Sequence, residues 1–234
     1  MRLDKFLADM NAGTRSEIKK AIRKGLVQVD GTMVKNPGEH VTEASAVSYD
    51  GRQIPYEPFS YYMLNKPQGV ITATEDRRQQ TVLDLLPADR RRDLSPVGRL
   101  DKDTEGLLLI TNDGDLNHRL LSPRSHVGKR YFARIQGVVD TKDVEAFANG
   151  LLLPDGLRCL PAKLEILSSG ETSEIEIVIE EGKFHQIKRM FEAVGKRVIY
   201  LKRLSMGSLT LDPALPTGQW RRLTETEVRN LKDL

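Results

Sequence analysis

The chain has a single cysteine, Cys159, among its 234 residues. One cysteine excludes an internal disulfide and any metal centre built from several thiolates. The four histidines, His40, His118, His126 and His185, show none of the short spacings that hold a metal ion, so no metal is expected. Long hydrophobic runs are missing too. Runs such as Leu107 to Ile110 fall far short of the roughly 20 residues that cross a bilayer. The start Met1-Arg2-Leu3-Asp4 carries no apolar signal core, so no membrane association and a cytoplasmic location are expected. A dinucleotide fingerprint, a phosphate-binding loop and a nucleophile–base triad are absent as well. So are internal repeats and low-complexity tracts. The length suits one large domain plus a small one. Apolar residues make up 39% and charged residues 29%, enough for a sizeable core.

What is present is unevenly spread charge. The first 40 residues hold eight Lys and Arg against five Asp and Glu, while the remaining 28 basic and 28 acidic residues cancel. The net charge of +3 therefore belongs to the N-terminal segment, which points to an anionic partner there. In that segment Leu3, Phe6, Leu7 and Met10 follow helical spacing. Asn11-Ala12-Gly13 breaks the helix, and Thr14-Arg15-Ser16-Glu17 has the form of a capping box opening a second one. That second helix runs to about Lys24, with Gly25 as a left-handed stop. Its apolar face is Ile18, Ala21 and Ile22; Lys19, Lys20, Arg23 and Lys24 lie on the other side. Val27 and Val29, the Asp30-Gly31 turn and Met33-Val34 read as a tight hairpin. Val41 to Ser60, with Gly51, Pro55 and Pro58, lacks helical periodicity. Its middle and end read as a linker, with a domain boundary near 55–60.

From Tyr61 onward strand patterns alternate with helix patterns. Strands are expected at Tyr61–Leu64, Leu107–Thr111, Tyr131–Ile135, Ile175–Ile179, Val198–Leu201 and Leu209–Leu211. Helices are expected at Leu116–Leu121, Val144–Ala148, His185–Val194 and after the capping box Thr224-Glu225-Thr226-Glu227. This alternation predicts an α+β chain. A small helical and hairpin domain, residues 1–58, precedes a larger α+β domain, residues 59–234, built around a mainly antiparallel sheet.

One segment concentrates polar groups: Gly98-Arg99-Leu100-Asp101-Lys102-Asp103-Thr104-Glu105-Gly106, leading into the buried run Leu107 to Thr111 and the turn Asn112-Asp113-Gly114. On its residues alone it is a loop with two acids feeding a buried strand. Such loops on rigid sheets often hold catalytic groups. A polar turn whose aspartates cap nearby amides has the same composition, and Asp103 and Thr104 suit that loop-stabilising role.

The whole run resembles the signature of the small-subunit-type pseudouridine synthases, the RsuA branch. Leu64-Asn65-Lys66-Pro67-Gln68-Gly69, Lys129-Arg130-Tyr131 and Glu181-Gly182-Lys183-Phe184-His185-Gln186-Ile187-Lys188-Arg189-Met190-Phe191 resemble further motifs of that family, in order. The N-terminal segment, through Arg2-Leu3-Asp4-Lys5-Phe6-Leu7, Ser16 and Gly25 to Gly31, resembles the S-four RNA-binding domain. Together the resemblance covers essentially the whole chain. It implies an isomerase that detaches uracil from ribose, rotates it and rejoins it through carbon 5, without metal, nucleotide or redox cofactor. It implies Asp101 as the essential carboxylate, Lys188 as its basic partner and Tyr131 as the ring that stacks on the base. Arg99 would fill the space left by a flipped nucleotide. Lys66 would contact phosphate or serve structurally, and His185 would line the substrate pocket. Arg2, Lys5, Arg15, Lys19, Lys20 and Arg23 would contact RNA phosphates, giving affinity without sequence readout.

The run from Lys183 to Phe191 is closer to the small-subunit branch than to large-subunit relatives, which more often carry Arg-Asn-Arg after the glycine. Small-subunit ribosomal RNA, naked or in an assembly particle, is therefore the expected partner. A monomer is expected, because no assembly segment is evident. Three other readings stay open on sequence alone: a synthase acting on large-subunit RNA, a non-catalytic RNA-binding assembly factor, and a glycosidase-type hydrolase using Asp101 with Asp103. The last is disfavoured because two acids at i and i+2 of one loop do not face each other across a sugar.

Overall fold

The computed structural model describes residues 1–88 and 90–234, and every side chain among them except that of Pro123. The chain divides into two compact units: residues 1–60 with 86–94, and residues 61–85 with 95–234.

In the first unit, helices α1 (Leu3–Asp9) and α2 (Arg15–Arg23) follow the spacing of their apolar residues. Asn11, at φ 56°, and Gly13, at φ 153°, turn the chain between them. The capping box forms: Glu17 N donates to Thr14 Oγ1 at 3.3 Å, and Thr14 N donates to Glu17 Oε2 at 2.7 Å. Leu3, Phe6, Leu7, Ile18, Ile22, Val27, Val41 and Val47 are buried together as one core. A four-stranded antiparallel sheet covers it, in the order β2-β1-β3-β4 (β1 Val27–Val29, β2 Thr32–Met33, β3 Val47–Tyr49, β4 Arg52–Ile54).

The last two strands correct the expected linker, whose middle is sheet. The reason is a second Asp-Gly turn. Asp50 and Gly51, at φ 50° and 75°, repeat the left-handed pair of Asp30 and Gly31, at φ 50° and 78°. That geometry matches the twist of a two-residue hairpin. Three-residue strands are too short to display an alternating pattern. Residues 86–94, which the sequence suggests belong to the larger domain, are also part of this unit. Arg91 is buried, donates to both carboxylate oxygens of Asp93 at 2.9 and 2.7 Å, and donates to the Glu57 carbonyl. Asn11 Nδ2 donates to the Ala88 carbonyl at 2.9 Å, and Arg92 Nε donates to Asn11 Oδ1 at 2.7 Å.

The second unit is built on a nine-stranded sheet. Its main path runs β13-β5-β7-β11-β8-β10-β9, with β6 added to β7 and β12 to β11. The strands are β5 (Tyr61–Lys66), β6 (Ser95–Pro96), β7 (Glu105–Thr111), β8 (Lys129–Gln136), β9 (Lys163–Ser168), β10 (Thr172–Ile179), β11 (Arg197–Met206), β12 (Leu209–Thr210) and β13 (Trp220–Arg222). All the pairings but one are antiparallel; β7 and β11 run parallel. The mixed α+β architecture with a mainly antiparallel sheet is the one the sequence predicts. β6, β9 and β13 are additions to it.

Strand β7 is central and reads as an unbroken apolar run because both its faces are covered. Leu107 through Ile110 have no exposed surface. Burying a leucine side chain stabilises by roughly 1.5–3 kcal/mol, so this strand is a fixed base for the loop that precedes it. Met63, Val97, Leu116, Leu120, Met206 and Leu231 pack with Leu107 and Leu109. Helices α3 (Gly114–Leu121), α4 (Thr141–Ala148) and α6 (Glu225–Lys232) are capped by Asp113, Asp140 and Thr224, and α5 spans Gln186–Ala193.

Gly106 lets β7 and β11 come together. Its φ is 100°, and a Cβ there would lie 2.3 Å from the Arg203 carbonyl oxygen. No other residue type fits that contact. Among the described residues no helix is long and apolar enough to cross a membrane.

Candidate active site

The loop from Gly98 to Thr104 enters β7 and is held by the end of β5 and the residues after it. Lys66 closes β5 and is fully buried. Its Nζ donates to the carbonyl oxygens of Pro67 at 3.0 Å, Asp101 at 3.1 Å, Lys102 at 3.4 Å and Thr104 at 3.0 Å. Gly69 N donates to the Lys102 carbonyl at 2.8 Å. Thr72 brackets Leu100, its hydroxyl donating to the carbonyl at 2.7 Å and accepting from the amide at 3.2 Å. The loop backbone is thus pinned at several points.

Of the two roles open to Lys66, phosphate contact or a structural one, its surroundings fit the structural one. A lysine with no exposed surface and four carbonyl neighbours does not reach a phosphate. Burial pushes its ammonium down to about 8, against the pull of Asp103, Asp101 and Glu105.

With its backbone pinned, the loop presents two carboxylates to α5. Lys188 Nζ lies 3.0 Å from Asp101 Oδ2 and 2.6 Å from Asp103 Oδ1. Burial works against the Lys188 charge, but the bonds to Asp103 and Asp101 outweigh it and hold the ammonium above its ordinary range. Burial likewise acts to raise Asp103, and Lys188 outweighs that and holds the carboxyl below its usual range. Asp103 is thus a partner in the charge cluster as well as a loop residue. Two acids at i and i+2 were the visible signal for it. His185 Nε2 lies 3.6 Å from Asp101 Oδ1.

A small pocket of about 70 Å³ gathers Arg99, Asp101, Tyr131, His185 and Lys188, with Ile187 and Leu201 among its apolar walls. Residues 30 to 90 positions apart in sequence meet there because β11 lies between β7 and β8 and α5 packs on β11. Tyr131 is buried in the pocket wall, while Arg99 is exposed and has no salt bridge among the described residues. A broader groove of about 720 Å³ adjoins the pocket and shares Arg99, Leu100, Asp101, Lys183 and His185 with it.

The turn before α5 is built from its own side chains. Glu181 Oε1 accepts from Gln186 Nε2 at 2.6 Å and from Leu160 N at 2.9 Å. Lys183 N donates to Gln186 Oε1 at 3.0 Å, and Lys183 Nζ pairs with Glu181 Oε2 at 2.9 Å. His185 is the residue before the helix and sits in the left-handed region, φ 49° and ψ 33°. That conformation costs roughly 1–2 kcal/mol for a residue with a side chain, and the surrounding bonds hold it.

In the first unit the expected RNA-contacting residues Arg15, Lys19, Lys20 and Arg23 are all exposed on α2. Arg15, Lys20 and Arg23 have no salt bridge among the described residues, and Lys19 lies 3.9 Å from Asp4. Arg2 makes two hydrogen bonds to Asp4 at 3.0 and 2.9 Å, and Lys5 pairs with Asp9. Lys129 was named only as part of a motif. It is buried, with Nζ donating to the Val127 carbonyl at 2.7 Å and the Glu180 carbonyl at 3.2 Å.

The site thus sets a carboxylate paired with a lysine beside a buried tyrosine in a sheet-borne pocket, and residues 1–47 match the S4 domain. Residues 60–193 match the family described as RNA pseudouridylate synthase, and the chain belongs to that family, whose members are isomerases. It is similar over its full length to the "Uncharacterized RNA pseudouridine synthase YtzG" of Bacillus subtilis, at 49% identity covering 99% of that protein. It is 41% identical to the "Ribosomal small subunit pseudouridine synthase A" of Vibrio cholerae and 39% identical to that of Escherichia coli K12, covering 99% and 100% of those proteins. A solved structure described as a pseudouridylate synthase superposes with a TM-score of 0.70 at 36% identity, covering 99% of each chain.

Proposed function

We propose that this enzyme converts a uridine of small-subunit ribosomal RNA to pseudouridine, with Asp101 as the catalytic carboxylate. The observation that carries the reading is the Asp101–Lys188 ion pair in a pocket also lined by Tyr131. The names of the full-length relatives supply the substrate class.

Lys188 supplies the countercharge beside Asp101 in a site that the substrate would close to water. A buried carboxylate is costly unless paired in this way. Asp101 then serves as nucleophile at the ribose C1′, or as base at C2′ to give a glycal. In either route the C1′–N1 bond breaks, the uracil turns, and C1′ joins C5. The C5 proton leaves and N1 gains one, so the atoms balance as an isomerisation. Tyr131, in the pocket wall, stacks on the base and assists the loss of the C5 proton. His185 lines the pocket beside Asp101. Arg99, exposed and without a salt bridge among the described residues, enters the space the flipped nucleotide leaves. Flipping costs a few kcal/mol, which such a substitution offsets.

Residues 1–58 form the RNA-binding part, with Arg2, Lys5, Arg15, Lys19, Lys20 and Arg23 meeting phosphates, and 59–234 form the catalytic part. The protein acts as a monomer in the cytoplasm, on naked RNA or an assembly particle. The test is tritium release from carbon 5 of uridine-labelled small-subunit RNA by wild type and by Asp101→Asn. Release that vanishes in the variant while RNA binding persists is the expected result. No release from naked RNA, assembly particles or large-subunit RNA would overturn the reading and leave an RNA-binding assembly factor. Release from large-subunit RNA alone would move the target.

A further inference from the structure

The turn before α5 carries an aromatic ring that the fold leaves uncovered. Phe184 is 71% exposed, the highest value among the exposed large hydrophobic residues. Its exposure is built in. Glu181, Lys183 and Gln186 lock the turn on both sides of it, and the left-handed backbone of His185 fixes the step into the helix. The ring does not stand alone. It stacks on the His185 imidazole with centroids 3.8 Å apart and planes 17° from parallel. The two rings form one flat platform, and its inner ring is 3.6 Å from Asp101.

The platform faces the groove beside the pocket. Arg99, Lys129 and Lys183 line that groove; Lys183 is paired with Glu181 and Asp101 with Lys188, so Arg99 and Lys129 leave its charge positive, which favours an anion. A flat aromatic surface beside fixed cations is how proteins hold an unpaired base together with its phosphate.

We propose that Phe184, backed by His185, is the stacking platform for the base next to the target uridine in the RNA strand, which runs along the adjoining groove. This rests on the synthase reading for the identity of the target. Flipping the uridine breaks its stack with the neighbouring base; the platform replaces that lost stack and keeps the neighbour from re-closing over the gap. Phe184 would therefore act on substrate capture and on the preferred neighbouring base, and not on the bond-making step.

The experiment uses the full-length enzyme as wild type, Phe184→Ala, Phe184→Leu and Phe184→Trp. The first readout is tritium release from small-subunit RNA. Phe184→Ala and Phe184→Leu should raise KM roughly tenfold, with most of the change in KM and little in kcat, and Phe184→Trp should restore it. The second readout needs no turnover. Short single-stranded RNAs carry one uridine with 2-aminopurine on its 5′ or its 3′ side. Wild type and Phe184→Trp should quench the fluorescence in one of the two orientations, and Phe184→Ala and Phe184→Leu should not. Wild-type KM in Phe184→Leu would mean that apolar bulk suffices and would overturn the platform. Quenching that survives in Phe184→Ala, or is absent from wild type in both RNAs, would overturn it too. Quenching that depends on Phe184 without any tritium release would sink the synthase reading and leave the platform standing.

Discussion

Two lysines grip the same loop in opposite ways. Lys66, at the end of β5, is fully buried and holds the backbone carbonyls of residues 101, 102 and 104. Lys188, on α5, is partly exposed and holds the side-chain carboxylates of Asp101 and Asp103. One is pushed down to about 8 and the other is held above its ordinary range. The difference lies in the partners. Neutral carbonyls return less of the cost of dehydrating an ammonium than two carboxylates do. The residue type is the same, but Lys66 is bound up with the shape of the loop and Lys188 with its charge.

The sharpest way to break that contrast is Lys188→Met. It should lower kcat by roughly 10²- to 10³-fold, the scale of losing one fixed charge partner at a reacting group. Stability should change by less than about 1 kcal/mol, because partly exposed ion pairs contribute little. Thermal melts and single-turnover tritium release measure both. A variant that melts far below wild type would show that Lys188 shares the structural role, and Lys188→Arg should recover much of the rate. Lys66→Met should do the reverse. Removing the donor strands buried carbonyls and should cost roughly 2–4 kcal/mol, a fall in Tm of roughly 5–15 °C for a chain of this size. A shift under about 2 °C would dissolve the distinction.

Gly106→Ala strains the other end of the same loop. The added Cβ meets backbone and the φ is left-handed, so a loss of roughly 1–3 kcal/mol is expected in denaturant titrations. pH offers a further way to sharpen the contrast. Below about 8 Lys66 is protonated in both the folded and the unfolded chain, so pH does not act through it. Between about 8 and the unfolded value of 10.5 the unfolded chain holds a proton the folded one has given up. The unfolding free energy of wild type minus that of Lys66→Met should therefore rise across that window. For Lys188, whose folded value is raised, the stabilising contribution is full below 10.5 and is lost as pH climbs beyond it. A wild-type difference that falls between 8 and 10.5 would contradict the assignment.

Most of the second unit was legible because its signals are local. The capping residue Thr224 sits three positions from its partner Glu227, and the alternation of Ile175, Ile177 and Ile179 shows within one strand. Asp101, Tyr131 and Lys188 were legible as members of motifs, and the pairing of β11 with both β7 and β8 is what brings them to one pocket. The role of Lys66 was not legible. Three of its four partners lie 35 to 38 positions away, and all are backbone atoms, which leave no residue-type trace. The burial of Arg91 in the first unit had the same difficulty, since its distant partner is the Glu57 carbonyl. The strands at residues 47–54 failed for another reason. Their length hides the period, and only Asp50-Gly51 marked them.

The sheet order also sets a timetable for synthesis. Strand β13, at residues 220–222, pairs with β5 through Trp220 and Leu64, and β5 is the strand that ends in Lys66. A growing chain makes β5 early and then leaves one of its edges open for some 150 residues of translation. Until residue 222 emerges, the strand that anchors the loop is an unpaired edge. Contacts of such long range form late and slowly. The sheet that anchors the loop is therefore complete only once residue 222 has been made, and its early strands are what a chaperone would meet first.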